Sequence, residues 1–201
     1  MWEISKWGTV PPTVKLEDYT VLLQEDKAGT EKEIKIKHQK TFGTGAHQST
    51  KMAAHMILKE VRRSKPANLL DVGTGTGILA FLAAREGVKN ITGVDTNEDG
   101  LKVAEENRKE NNIQKIEWKN NLDEVDKKYS LIVANITIYV WREEGENIIS
   151  KLAPGGKLIL TGLCEGHTEE LAWLKELEEY EMLNIKNVFR PFIGVEIQKK
   201  K

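Results

Sequence analysis

The chain has one cysteine, Cys164, in 201 residues. It can form no internal disulfide, and no Cys-x-x-Cys pair exists to hold zinc. Charge of either sign is not in excess: 30 Lys and Arg stand against 31 Asp and Glu, a net charge of −1. Such a balance gives no bulk attraction for nucleic acid or an anionic membrane. The apolar runs fall far short of a membrane span. Met1 to Trp7 include Glu3 and Lys6 without an apolar core, so no secretory leader is expected. Internal repeats, heptads and low-complexity linkers are also missing. These absences leave a cytoplasmic, water-soluble protein with no membrane partner as the expectation, and disfavour a nucleic-acid partner. Hydrophobic residues make up 39% of the chain, enough for a real core because they cluster in runs.

Those runs alternate between two periods from Asn68 to Thr161. Asn68–Val72 reads as a buried strand, and Ile78 to Glu86 as a helix with Ile78, Leu79, Leu82 and Ala83 on one face. Asn90–Asp95 is the next strand, and Asn97 caps a helix that carries Leu101, Val103 and Ala104 to about Asn111. Lys115–Lys119 and Leu131–Ala134 are two more strands. A helix from about Tyr139 to Leu152 meets the stop signal Ala153-Pro154-Gly155-Gly156 before a fifth strand, Lys157–Leu160. This alternation predicts an α/β fold, a doubly wound parallel sheet covered on both faces. A helix over Glu169–Tyr180 then leads to Met182–Phe189 and Ile193–Gln198, two runs close enough to form an antiparallel hairpin. The expected sheet thus has seven strands, mostly parallel. Before residue 40 only Tyr19–Leu23 and Ile34–Ile36 read as short strands, so residues 1–40 are taken as an N-terminal extension of a domain over 41–201.

The first strand runs into Asp71-Val-Gly73-Thr-Gly75-Thr-Gly77. Glycines at a strand-to-helix turn permit a sharp bend and the close approach of a ligand to the main chain. The dinucleotide fingerprint wants a small residue where Ile78 stands, and the carboxylate of Asp71 would repel a pyrophosphate. A phosphate-binding P-loop is excluded because no Gly-Lys-Ser/Thr follows. Asp95 ends the second strand at the same edge of the sheet, where it can accept both hydroxyls of a ribose. The combination fits an adenosine ligand with a cationic centre and no phosphate, which S-adenosylmethionine is.

Two further segments converge on this edge. Thr41-Phe42-Gly43-Thr44-Gly45-Ala46-His47-Gln48-Ser49-Thr50 precedes a helix from about Ser49 to Val61 and can offer main-chain donors to a carboxylate. Asn135 follows the fourth strand, where its amide oxygen can meet a substrate amine; by itself an Asx turn is the better explanation.

Phe42-Gly43-Thr44-Gly45-x-His47-x-x-Thr50, the Asp71–Ala80 loop, Asp95 and Asn135-Ile136 together are similar to one group, the PrmA-like methyltransferases. The resemblance covers roughly residues 40–165. It implies a class I, Rossmann-like methyltransferase using S-adenosylmethionine to methylate amines of a ribosomal protein. By that resemblance Thr50, Gly73, Asp95 and Asn135 contact the cofactor, while Phe42, Gly43 and His47 form the loop over its methionine moiety. Asp71, Gly75 and Gly77 belong to the same glycine loop. Asn121 stands near the position at which class I enzymes read the adenine. Members normally carry an N-terminal recognition domain, and about forty residues precede the motif here; Thr137 also replaces a usual apolar residue.

Transfer from a sulfonium is an in-line displacement that demands alignment and a neutral acceptor amine. Asn135 is the candidate for orienting that amine, and His47 the candidate for base or loop holder. His38, His55, His167 and Cys164 are read as inert, and Tyr139 and Trp141 as candidates to wall the substrate entrance. The rivals are a small-molecule or RNA methyltransferase, a non-catalytic module retaining the cofactor fold and, least favoured, an NAD-linked reductase.

Overall fold

A computed structural model describes residues 11–23, 30–37 and 42–201. His38, Thr41, Trp2 and Trp7 lie outside the described residues. The central element is a seven-stranded sheet built from β4 (Asn68–Val72), β5 (Asn90–Val94), β6 (Glu117–Lys119), β7 (Tyr129–Asn135), β8 (Leu152–Cys164), β9 (Tyr180–Lys186) and β10 (Phe192–Lys199). Its order is β6-β5-β4-β7-β8-β10-β9. The pairings from β6 through β8 are parallel, and β10 runs antiparallel between β8 and β9. The fold is therefore the expected α/β arrangement with an antiparallel C-terminal hairpin.

Residue parity explains how continuous apolar runs serve two layers. Along a strand, successive side chains point to opposite faces. Leu69, Leu131, Val133 and Ile159 join one core with α1 (Gln48–Ser64) and α2 (Ile78–Arg85). Leu70, Val72, Ile132, Ala134, Leu158 and Leu160 join the other with α4 (Ile138–Ser150). The remaining helix, α3 (Glu98–Glu110), is capped by Asn97 as its sequence predicts, the side chain accepting from the amides of Asp99 and Gly100.

Three elements depart from the sequence reading. Residues 169–180 do not form an α-helix: Glu165–Glu176 is a run of tight 3-10 turns. Its Leu171 and Leu174 are still buried, and Trp173 stacks on Trp141 at 5.7 Å. The fifth strand is longer than its apolar stretch and begins at Leu152. Its pairing with β7 jumps from Tyr129–Leu152 to Leu131–Lys157, so Ala153–Gly156 bulges outward. Gly155 there meets the C-terminal end of the chain, accepting from Gln198 Nε2 at 3.1 Å.

The third departure is an extra strand near the start. β1 (Thr13–Leu16) pairs antiparallel with β2 (Tyr19–Leu22), which pairs parallel with β3 (Glu33–Lys35). This small sheet has no core of its own: Val14, Leu16, Tyr19, Val21, Ile34 and Ile36 enter the α1–α2 core. The outer edge of β3 and the residues after it are completed by two amides four residues apart, Asn107 on α3 and Asn111 at its C-terminal cap. Asn111 accepts from the Lys35 amide (2.8 Å) and donates to its carbonyl (2.7 Å). Asn107 treats Lys37 the same way at 2.8 and 2.9 Å and also donates to the carbonyl of Thr76 (3.1 Å). Side-chain amides thus reproduce the ladder of a missing strand.

Asn107→Ala would leave the buried Thr76 carbonyl and the half-buried main-chain groups of Lys37 unpaired and should destabilise the protein by about 2–3 kcal/mol. Asn111→Ala should act in the same direction, and Glu106→Ala on the exposed face of α3 should change stability by less than about 0.5 kcal/mol. Urea unfolding of the three variants checks this.

Candidate functional site

The loop between β4 and α2 owes its shape to three glycines in the left-handed region, Gly73 (φ +69°), Gly75 (φ +53°) and Gly77 (φ +85°). An added Cβ at Gly77 would lie 2.5 Å from the Phe81 ring, so neither its conformation nor its surroundings tolerate a side chain. The loop is tied to the next strand by the amides of Gly73 and Thr74, both donating to the carbonyl of Val94.

Asp71 is fully buried beneath this loop. One carboxylate oxygen accepts from the Thr74 hydroxyl at 2.6 Å, while Oδ1 has no partner. Burial pushes its pKa up to about 7; the Thr74 hydroxyl and the Ala80 amide oppose that rise, and the neighbouring Asp95 carboxylate adds to it. The unpaired oxygen keeps the capacity to accept a further hydrogen bond.

Asp95 leaves the end of β5 and does two tasks for the main chain. Its Oδ2 accepts from the Gly75 amide (2.8 Å) and its Oδ1 from the Asn97 amide (3.0 Å). Each oxygen retains a lone pair for a further donor. Asn121, beyond β6, is exposed and caps the 3-10 turn Leu122–Glu124, accepting from the Glu124 amide at 3.1 Å.

Residues 42–50 close over the glycine loop from the other side. The Thr76 amide donates to the Phe42 carbonyl (3.1 Å) and the Thr76 hydroxyl to the Gly43 carbonyl (2.7 Å). Gly43 has φ +113°, and a Cβ there would sit 2.6 Å from the Thr76 hydroxyl. His47 caps α1, with Nδ1 accepting from the Ser49 amide (3.3 Å) and meeting the Ser49 hydroxyl at 2.7 Å. Its ring is wedged edge-to-face between Phe42 and Phe192, at 5.5 and 4.8 Å between centroids. Burial lowers its pKa. Phe42 itself is 56% exposed.

Asn135 ends β7 at the same edge. Its Nδ2 donates to the hydroxyl of Thr50 on α1 (3.3 Å), and its Oδ1 accepts from the hydroxyl of Thr161 on β8 (3.1 Å). The structure thus gathers Phe42, Gly43, His47, Thr50, Asp71, Gly73, Gly75, Gly77, Asp95 and Asn135 around the carboxyl ends of β4, β5 and β7. Asn121 stands at the outer flank beyond β6. Trp141 does not wall an entrance: it is 1% exposed beneath Trp173, and Tyr139, at 70%, is the exposed aromatic of α4. Thr76 and Thr161 went unnoticed in the sequence. The signals were a hydroxyl inside a glycine loop and a Thr-Gly pair after a strand, both too common to single out. A cleft of about 530 Å³ lined by Asn68, Thr92, Glu117 and Tyr129 opens at the other end of these strands, away from the gathered residues.

The model of the ribosomal protein L11 methyltransferase (PrmA) family matches residues 14–188. A ribosomal protein L11 methyltransferase of Lactobacillus johnsonii is 38% identical over 124 residues, 61% of this chain and 39% of that protein. One from Dictyoglomus turgidum is 29% identical over 188 residues, 90% of this chain and 62% of that protein. The chain therefore spans 39% to 62% of the length of these curated relatives. Among solved structures, a ribosomal protein L11 methylase from Lactobacillus delbrueckii subsp. bulgaricus superposes with a TM-score of 0.81 at 25% identity, covering 94% of this chain and 99% of that one. A Podospora anserina methyltransferase bound to SAH shares the fold, with a TM-score of 0.64 at 14% identity over 79% of this chain and 82% of that one.

Asp71 makes stability fall as pH rises. Its folded pKa of about 7 lies above the unfolded value, so the folded state holds the extra proton between roughly pH 4 and 7. Asp71→Asn removes that dependence and should stabilise the ligand-free protein at pH 8, by an amount on the order of 4 kcal/mol at most. Thermal unfolding of both proteins from pH 5 to pH 8 checks it: the wild-type midpoint should drop relative to that of the variant.

Proposed function

The chain belongs to the ribosomal protein L11 methyltransferase (PrmA) family, and from that membership we propose that it transfers a methyl group from S-adenosylmethionine to an amine nitrogen of a ribosomal protein. The observation that carries the proposal is the docking of Phe42 and Gly43 onto Thr76. It joins the segment peculiar to the family resemblance to the glycine loop that class I enzymes have in common.

The chemistry of the donor set suits this cofactor. Residues 71–80 include no lysine or arginine to bind a phosphate. Asp71 and Asp95 instead make the edge attractive to a cation. Asp95 takes the ribose hydroxyls with its remaining lone pairs, and the main chain at Gly73 and Gly75 lies against the ligand while Gly77 shapes the turn. Asn121 reads the adenine edge, Thr50 and Gly43 border the amino-acid part, and Phe42 covers it. Bound there, S-adenosylmethionine supplies an electrophilic methyl group on a sulfonium.

Asn135 orients the acceptor, its amide oxygen accepting an N–H of the amine. A lysine amine, with an ordinary pKa near ~10.4, must arrive neutral, and burial favours its deprotonated form. A dedicated base is not required. His47 serves to hold the loop, because its Nδ1 is engaged at the helix cap and its ring is clamped by two phenylalanines.

Labelled methyl from S-adenosylmethionine should appear in purified ribosomal protein L11 incubated with this chain; label only in small molecules of a cell extract would replace the protein acceptor. Asp95→Ala should weaken S-adenosylhomocysteine binding at least tenfold, since charge-assisted hydrogen bonds contribute roughly 1.5–3 kcal/mol each. Unchanged affinity by calorimetry would remove Asp95 from the site.

A further inference from the structure

Asn107 and Asn111 are built alike and differ in one bond. Both are buried, and each accepts from and donates to the main chain of a residue in or just after β3, Asn107 at Lys37 and Asn111 at Lys35. That leaves each carboxamide one further N–H. Asn111 turns it back into the helix, onto the main-chain carbonyl of Asn107 (2.7 Å). Asn107 sends it out of the helix to the carbonyl of Thr76 (3.1 Å), inside the glycine loop between β4 and α2.

The carboxamide of Asn107 has one workable orientation. Turned over by 180°, it would set Nδ2 against the Lys37 amide, donor to donor. Oδ1 would then face the carbonyls of Lys37 and Thr76, acceptor to acceptor. All three bonds would be lost and none gained. The main chain of Lys37 therefore aims Asn107 at the loop.

Thr76 stands between Gly75 (φ +53°) and Gly77 (φ +85°), residues with little conformational preference of their own. The peptide joining Thr76 to Gly77 is accordingly set by its hydrogen bonds. Its N–H, from Gly77, donates to the Thr74 carbonyl within the loop (2.9 Å). Its carbonyl is gripped from outside the loop, by Asn107. The preceding amides, of Gly75 and Thr76, hold Asp95 and Phe42. A shift of this peptide is thus passed to two residues assigned above to the cofactor.

We propose that Asn107 is a positioning residue for cofactor binding: anchored on the main chain of Lys37, it fixes the Thr76–Gly77 peptide in the conformation against which an adenosyl ligand packs. This role rests on the methyltransferase reading above. Asn107 acts through Thr76.

Asn107→Ala and Asn111→Ala are a matched pair, since both open the edge beside β3 and only the first releases the loop. By calorimetry Asn107→Ala should bind S-adenosylhomocysteine at least fivefold more weakly than wild type, and Asn111→Ala within twofold of it. Equal losses in the two variants, or none in Asn107→Ala, would overturn the positioning role. In the ligand-free protein the Gly77 amide should exchange its hydrogen at least fivefold faster in Asn107→Ala than in Asn111→Ala. Equal rates would refute the proposal even if the wild-type chain binds no S-adenosylhomocysteine, the result by which the methyltransferase reading fails separately. The wild type alone supplies a further check, because coupling between two sites is reciprocal. S-adenosylhomocysteine should slow exchange of the Lys37 amide, bonded to Asn107, more than that of the Lys35 amide, bonded to Asn111. Equal slowing at both, or none at either, would count against Asn107.

Discussion

Thr76 is completely buried, and all three of its hydrogen-bonding groups are committed to distant parts of the chain. Its amide and hydroxyl hold the carbonyls of Phe42 and Gly43, and its carbonyl receives Asn107 of α3. One small residue inside the glycine loop therefore ties the segment before α1, the loop after β4 and the third helix together. Valine would match its volume but not its hydroxyl, and would strand the Gly43 carbonyl beneath the loop. The glycine loop is thus more than a flexible turn. Its positive φ angles aim the Thr76 groups at partners in segments far away in sequence.

Around this joint the molecule tolerates features that oppose stability. A carboxyl group is buried at the centre of the sheet with one oxygen unpaired, and a second carboxylate lies near enough to raise its pKa further. Under the proposed function, a cationic ligand at this edge would favour the charged form of Asp71 and offset part of that cost. His47 contributes an opposite dependence. Burial lowers its pKa, so the folded state resists its protonation and loses stability as pH falls below about 6.5.

The small N-terminal sheet is an integral part of this assembly. It has no independent core, and its apolar residues complete the layer formed by α1 and α2. Its open edge is closed by Asn107 and Asn111, and Asn107 also reaches the glycine loop. The segment just after β3 is in this way joined at Lys37 through one side chain, Asn107, to Thr76. That continuity links residues 14–36 physically to the loop expected to hold a ligand.

The amino-acid sequence alone determined the alternation of strands and helices, because a parallel strand buried on both faces needs an unbroken apolar run and a helix needs a 3.6-residue period. It also determined the glycine loop, Asp95 and the C-terminal hairpin, whose residue types are dictated by local backbone geometry and strand-end position. Tertiary structure decided the rest. Residues 169–180 carry a helical pattern, yet Glu165–Glu176 forms 3-10 turns that stack Trp173 on Trp141, since packing outweighs weak propensity. Thr76, Thr161, Asn107 and Asn111 each reach a long-range partner, 26 to 76 residues away. A hydroxyl or an amide has no periodicity that announces such a partner. Only the folded chain, by burying those groups out of reach of water, obliges each to find one.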